Sequence, residues 1–425
     1  MFRFTDRSGF SKLTQVCCVA LLLISTADVF SQEPDGNTWL QWRGPTRDGK
    51  FYGPEWPEGV SAEHLEEKWR VNLDKSYSGP IVTEKYVITT ETRDRKKEIV
   101  YCFDRETGAE VWQHEWQGAM KVPFFAAANG SWIRSTPGTD GQTLFVGGIR
   151  DVLVAIDIPT GKEKWRIDFK EKFDTKLPSF GMVCSPLIEG DHVYVQAGAS
   201  FVKLNKSDGT VVWRSAGDGG GMYGSAFSSP IFTRLGDSPV LLVQTRQALK
   251  MIDDADGSEI CSRDIEAFRG MNILTPTIVG DSIFTSAHSG KGEMLKIASD
   301  GNGFSLDQDW ENKKLEAYMS SPVVIGDHGY LFLKSQRFCC FNLETGEAAW
   351  RSGGKFGKYW SMVTSGDRIL ALDERGDLLM IKANAEKLEV MDQRKIGDNT
   401  WAHLAPAGKE LFVRELESLV AYRWK

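Results

Sequence analysis

The sequence predicts an all-β chain folded as an eight-bladed β-propeller of four-stranded antiparallel blades, closed by a strand from the N-terminal side. Three signals that keep step with one another predict it. A small-small-Pro opening, a Gly-Asp turn and a D-x-x-T-G turn followed four residues later by Trp recur together at a spacing in the forties. Residues 320–353, SSPVVIGDHGYLFLKSQRFCCFNLETGEAAWRSG, carry all three in order.

Each element has a physical reason. The opening Pro stands at 80, 137, 186, 230, 276, 322 and 406, with a weaker copy at Val363-Thr364-Ser365, which gives eight openings. The short apolar runs that follow, bounded by Gly, Asp and Ser, read as strands, about four per unit. The Gly-Asp turn recurs at Gly190, Gly236, Gly280, Gly326 and Gly366. The third signal runs from Asp104 to Gly108 with Trp112, from Asp157 to Gly161 with Trp165, from Asn205 to Gly209 with Trp213, and from Asn342 to Gly346 with Trp350. Its Asp or Asn can bond the backbone ahead, and its Gly can take the positive φ that closes a bulged hairpin. The Trp then has a large indole on the outermost strand to lay against the next unit, a docking role expected of Trp69, Trp112, Trp165, Trp213 and Trp350. Gly257 with Cys261 and Gly301 with Ser305 read as degenerate copies. One unit is a small twisted sheet that cannot cover both its faces, and packing copies in a ring solves that.

The ends of the chain depart from the pattern. Residues 1–31 read as a secretory signal peptide, with Arg3, Arg7 and Lys12 ahead of the apolar run 16–24. That run falls short of the ~20 apolar residues of a membrane span. Cys17 and Cys18 lack the small residues of a lipoprotein signal, so export to a periplasm or beyond without an anchor is expected. Losing the segment removes three basic and two acidic groups and takes the net charge from −7 to −8. An acidic chain without a basic run argues against nucleic-acid binding and against electrostatic attachment to anionic lipid. Residues 32–65 read as an irregular arm, rich in Gly, Pro and Asp, whose Trp39, Trp42, Phe51, Tyr52 and Trp56 anchor it to the body. Glu67-Lys-Trp69-Arg repeats Glu163-Lys-Trp165-Arg, yet its unit has no upstream part, while the unit opening at Ala405-Pro406 ends after three strands. The first strand therefore completes the last blade, leaving no free sheet edge, and residues 66–425 form one propeller, expected to be a monomer.

The motif Ala155-x-Asp157-x-x-Thr160-Gly161-x-x-x-Trp165 resembles the tryptophan-docking motif of PQQ-like (pyrroloquinoline quinone) repeats. Such repeats build eight-bladed propellers in quinoprotein alcohol dehydrogenases and in the non-catalytic outer-membrane assembly protein BamB, and the resemblance covers nearly all of residues 66–425. It is specific for fold and almost silent on function.

The loops from each outer strand to the next inner strand converge on one mouth of the channel. Tyr77, Arg134, Met182, Tyr223, Asn272, Tyr318, Trp360, Trp401 and His403 stand there as candidate binding residues. The longest of these loops, 116–132, is apolar in the middle, where Phe124 and Phe125 read as a lid, as a partner-binding loop or, equally, as side chains packed under the loop.

The dehydrogenase branch implies a disulfide of adjacent cysteines over the quinone, a calcium held by Glu, Asn and Asp, and an Asp base. The adjacent pair Cys339-Cys340 falls instead in a third strand, aligned with Ala155 and Cys102, where consecutive side chains point to opposite faces. With Cys184 and Cys261, these cysteines read as small buried residues. Glu316 and Asp398 are the obvious carboxylates at the mouth, and no histidines stand at metal-ligand spacing. The sequence therefore points to an exported, non-catalytic scaffold for envelope or secreted proteins and peptides, without catalytic residues, metal or cofactor. The alternatives are a PQQ- and calcium-dependent dehydrogenase and, from the mouth aromatics, a polysaccharide-binding or -degrading propeller.

Overall fold

The computed structural model describes residues 34, 36–224, 227–299, 301 and 303–425; the signal-peptide segment lies outside them. Eight antiparallel sheets of four strands each form the ring. Blades 1 to 7 occupy residues 81–117, 138–168, 187–215, 231–264, 277–312, 323–351 and 360–395. Blade 8 takes three strands from residues 405–424 and its fourth, Leu65–Asn72, from the front of the chain. Leu65 pairs with Trp424, Trp69 with Ala421 and Asn72 with Ser418, so the predicted closure is formed.

The turn chemistry works as its residue types require. In the first copy the Asp104 carboxylate accepts from the Glu106 and Thr107 N–H groups and from the Thr107 hydroxyl. Gly108 has φ +73°, and a Cβ there would lie 2.7 Å from the Trp69 indole, so two constraints demand glycine. The indoles cross to the next blade: Nε1 of Trp69, Trp112, Trp165, Trp213 and Trp350 donates to the carbonyls of Arg105, Ile158, Lys206, Asp254 and Asn384 respectively.

Blade 5 corrects one reading: its docking indole is Trp310, donating to the Leu343 carbonyl at 2.9 Å. The outer hairpin there is longer, Gly292–Ser299 against Phe304–Asn312, which moves the Trp nine residues beyond Gly301. In blade 7 the docking position is Asp392, which accepts from the Val60 and Ser61 N–H groups. Residues 60–64 thereby replace the D-x-x-T-G turn that blade 8 lacks.

The small-small-Pro openings acquire a reason that the repeat alone does not show. The hydroxyls of Thr136, Ser185, Ser229, Thr275 and Ser321 accept, in turn, the N–H groups of Gly79, Thr136, Ser185, Ser229 and Thr275. A ladder of side-chain hydrogen bonds thus ties the innermost strands of blades 1 to 6.

The arm closes the channel from one end. Trp39 exchanges both backbone hydrogen bonds with Val82 of blade 1, the Leu40 carbonyl accepts from Thr139 of blade 2, and residues 49–51 bond Thr364 of blade 7. Arg47 donates to the carbonyls of Ser185 and Pro186, and Arg43 to that of Pro322, so the arm also reaches blades 3 and 6. Both guanidiniums are buried, which lowers their pKa to about 10 and leaves them charged at neutral pH. Trp39, Phe51 and Trp56 are buried, whereas Tyr52 is exposed.

Two buried carboxyls make stability depend on pH. Glu98 accepts from Trp116 Nε1 and from the Ile149 N–H, but burial outweighs both donors and pushes its pKa up to about 8. Burial likewise pushes Asp151 up to about 7. The folded chain holds protons there that the unfolded chain releases near 4, so stability falls as pH rises from about 4 toward 8. Glu98→Gln is expected to reduce that fall while costing about 1 kcal/mol at low pH for one lost hydrogen bond. Thermal melts across this range check it; an unchanged slope would show that Glu98 is not the group responsible.

Candidate functional site

The other end of the channel opens as a cavity of about 760 Å³. Its floor is Trp42 of the arm together with the hydroxyl ladder, and its walls are the loops entering the innermost strands. Seven of the nine predicted residues line it: Tyr77, Arg134, Tyr223, Tyr318, Trp360, Trp401 and His403. Met182 and Asn272 do not. Met182 is buried with Phe145 and Phe169, and Asn272 is buried with its Nδ2 donating to the carbonyls of Arg246 and Ile265. Their neighbours Val183, Met271 and Ile273 face the cavity instead. Extended backbone sends successive side chains to opposite sides, so an offset of one residue separates lining from packing. Trp360 is the first residue of its inner strand and stacks on Phe332 at 4.9 Å, presenting only an edge.

One side of the cavity is a cluster of polar aromatics. Tyr77 stacks on Trp401 with centroids 4.2 Å apart, Tyr359 packs on Trp401, and Trp42 meets His403 edge-on at 5.0 Å. Burial, reinforced by Arg43, pushes His403 down to about 3 and keeps it neutral. Burial raises the pKa of Tyr77 and lowers that of Arg134, whose guanidinium lies 5.8 Å from the Tyr77 ring.

The opposite rim is apolar and exposed. Phe124 is 91% exposed and Phe125 52%, while Met222, Tyr223 and Phe268 are exposed as well. Close ring pairs run from Phe124 to Phe125 to Phe180 to Phe227, and Arg269 lies 5.9 Å from the Phe125 ring and 5.1 Å from that of Phe268. Trp42, Phe180, Phe227, Tyr359 and Arg269 escape the sequence reading. Tyr359 sits one residue from a predicted position, but no local pattern marks Trp42, which is brought in by the threading of the arm.

The requirements of a calcium-dependent quinone site are not met by these residues. No Asp or Glu among the described residues lines the cavity, so neither a carboxylate ligand for calcium nor a carboxylate base is at hand. Among the described residues no group of three or more His, Cys, Asp or Glu is placed to hold a metal. Cys339 and Cys340 are free and buried in blade 6, as are Cys102, Cys184 and Cys261 elsewhere.

Blades docked by tryptophans around a channel with a polar-aromatic mouth define a propeller of PQQ-like repeats. The family model of the outer membrane protein assembly factor BamB matches residues 59–114 and 95–352, and the chain belongs to that family. It is 21% identical over 266 residues to the outer membrane protein assembly factor BamB of Yersinia pestis, covering 58% of this chain and 63% of that relative's length. The solved structure of BamB from Moraxella catarrhalis superposes with a TM-score of 0.63 at 15% identity, covering 84% of this chain and 99% of that one. A europium-containing methanol dehydrogenase shares the fold with a TM-score of 0.51 at 12% identity, covering 92% of this chain and 98% of that one.

Proposed function

We propose that the chain is a non-catalytic binding scaffold of the cell envelope that takes a protein or peptide segment at the propeller mouth. The observation that carries this reading is the set of exposed apolar side chains Phe124, Phe125, Met222, Tyr223 and Phe268 beside an open cavity. Monomeric proteins seldom leave such a patch uncovered unless something docks on it. The signal-peptide reading of residues 1–31 and the similarity to an outer membrane protein assembly factor, BamB of Yersinia pestis, support an envelope setting. No helix among the described residues is long and apolar enough to cross a membrane.

The test is a tagged Phe124→Asp/Phe125→Asp variant, cross-linked in the envelope beside the wild type. Both side chains are exposed, so the unfolding free energy should change by no more than the ~0.5 kcal/mol typical of a surface substitution while captured envelope protein drops several-fold. Undiminished capture would remove the reading. A rise in melting temperature on adding PQQ and calcium would favour the dehydrogenase alternative instead.

A further inference from the structure

We propose that the segment taken at the mouth is acidic, with a carboxylate lodged against Arg134 and flanking apolar side chains laid on the Phe124–Phe125–Phe268 rim. This rests on the binding reading above and adds the chemistry of the partner. The first observation is the charge of the cavity. In a chain of net charge −7, the lining holds Arg134, Arg246, Arg269 and Lys358 and, among the described residues, not one carboxylate. The floor is backed by Arg43 and Arg47, two more buried cations whose guanidiniums donate to carbonyl oxygens, with Asp48 also acting on Arg43. Low-dielectric walls of one sign focus the field along the channel axis and draw anions into it.

The second observation is which of these cations already have partners. The carboxylates nearby have partners or stand outside the lining: Glu316 pairs with Lys334 at 2.9 Å, Glu374 accepts the backbone N–H of Lys358, and Asp264 and Glu266 line a neighbouring pocket with Arg246 and Arg269. Asp218 acts on Arg246. Arg134, Arg269 and Lys358 make no ion pair with the described residues and lie beside rings of Tyr77, Phe268 and Tyr359. Arg134 Nη2 donates to the Gly130 carbonyl, but among the described residues its buried Nε–H has no acceptor, and neither has the buried Nε1–H of Trp360 on the same cavity. A buried donor without an acceptor, and a guanidinium without a counter-ion, are costs that an incoming carboxylate relieves.

The third observation selects a chain segment over a free small anion. The apolar rim continues outside the cavity, and Phe124 would stay uncovered by a molecule small enough to lie wholly within it. A segment that alternates carboxylates and apolar side chains covers both regions at once, since extended backbone sends the two kinds to opposite sides.

The test uses the full mature chain and three fluorescent synthetic peptides of alternating phenylalanine with glutamate, glutamine or lysine, titrated by anisotropy. The glutamate peptide is expected to bind at least ten-fold more tightly than the glutamine peptide at low salt, and the lysine peptide more weakly than either. The margin should shrink as ionic strength rises. Arg134→Gln should abolish the margin and Arg134→Lys should restore most of it. If Arg134→Gln does not fold, the exposed pair Arg269→Gln/Lys358→Gln should narrow the margin and flatten the salt dependence. Equal affinity for the glutamate and glutamine peptides, lost with Phe124→Asp/Phe125→Asp, would overturn the acidic partner and leave the binding reading standing. Binding of no peptide while envelope capture persists would overturn it too. Displacement of the glutamate peptide by equimolar free glutarate would make this a site for small organic anions and overturn the segment.

Discussion

A chain that starts at Leu73, lacking the arm and the closing strand, is expected to yield no stable monomer. It loses the pairing partner of Ser418–Trp424, leaving a long unpaired edge on blade 8, and such edges template association. It also loses the turn at residues 60–64 that meets Asp392, and the plug that bonds blades 1, 2, 3, 6 and 7. Leu65, Trp39, Phe51 and Trp56 are buried in the blade 8 core cluster, and at ~1.5–3 kcal/mol per buried side chain their removal alone rivals the ~5–15 kcal/mol stability of a typical fold. Size-exclusion chromatography with light scattering checks it. A monomer that melts cooperatively at the full-length temperature would mean that the ring does not depend on this strand.

Replacing a docking indole should produce the largest loss available from one substitution. Trp213 is buried, packs on Phe201 and Tyr194 with centroids 5.6 and 6.2 Å away, and donates to the Asp254 carbonyl of blade 4. Trp213→Ala should cost about 3–5 kcal/mol, because both the cavity and the broken blade-to-blade bond count against the fold. Trp213→Phe keeps a ring against Gly257 and should cost less, with the ~1 kcal/mol of the hydrogen bond as its floor. Denaturant melts of the two variants separate packing from hydrogen bonding. If Trp213→Ala melts like the wild type, the indoles do not hold the blades together.

How much of this was legible follows from what a repeat encodes. A hairpin turn, a bulge and the indole after it lie within ten residues of one another, so Asp104, Gly108 and Trp112 announce themselves together. Trp310 was missed for the same reason, since a longer hairpin moved it out of the expected offset. Cys339 and Cys340 were legible as buried strand residues because strand alternation is local. The cavity was half legible: the loops that frame it follow from the blade order, but a shift of one residue put Met182 and Asn272 in the packing beneath and Val183, Met271 and Ile273 on the surface.

The sequence alone determined the number of blades, the antiparallel pattern within each, and the completion of the last by the first strand, because periodic burial and turn chemistry act between near neighbours. Only the tertiary structure decided that the arm threads the channel, that Trp42 becomes the floor of the mouth, and that Arg43 and Arg47 end buried against carbonyls more than a hundred residues away. Irregular backbone carries no period of its own. Its hydrogen bonds go to whichever strand ends the closed ring presents, and those exist only once all eight blades are in place.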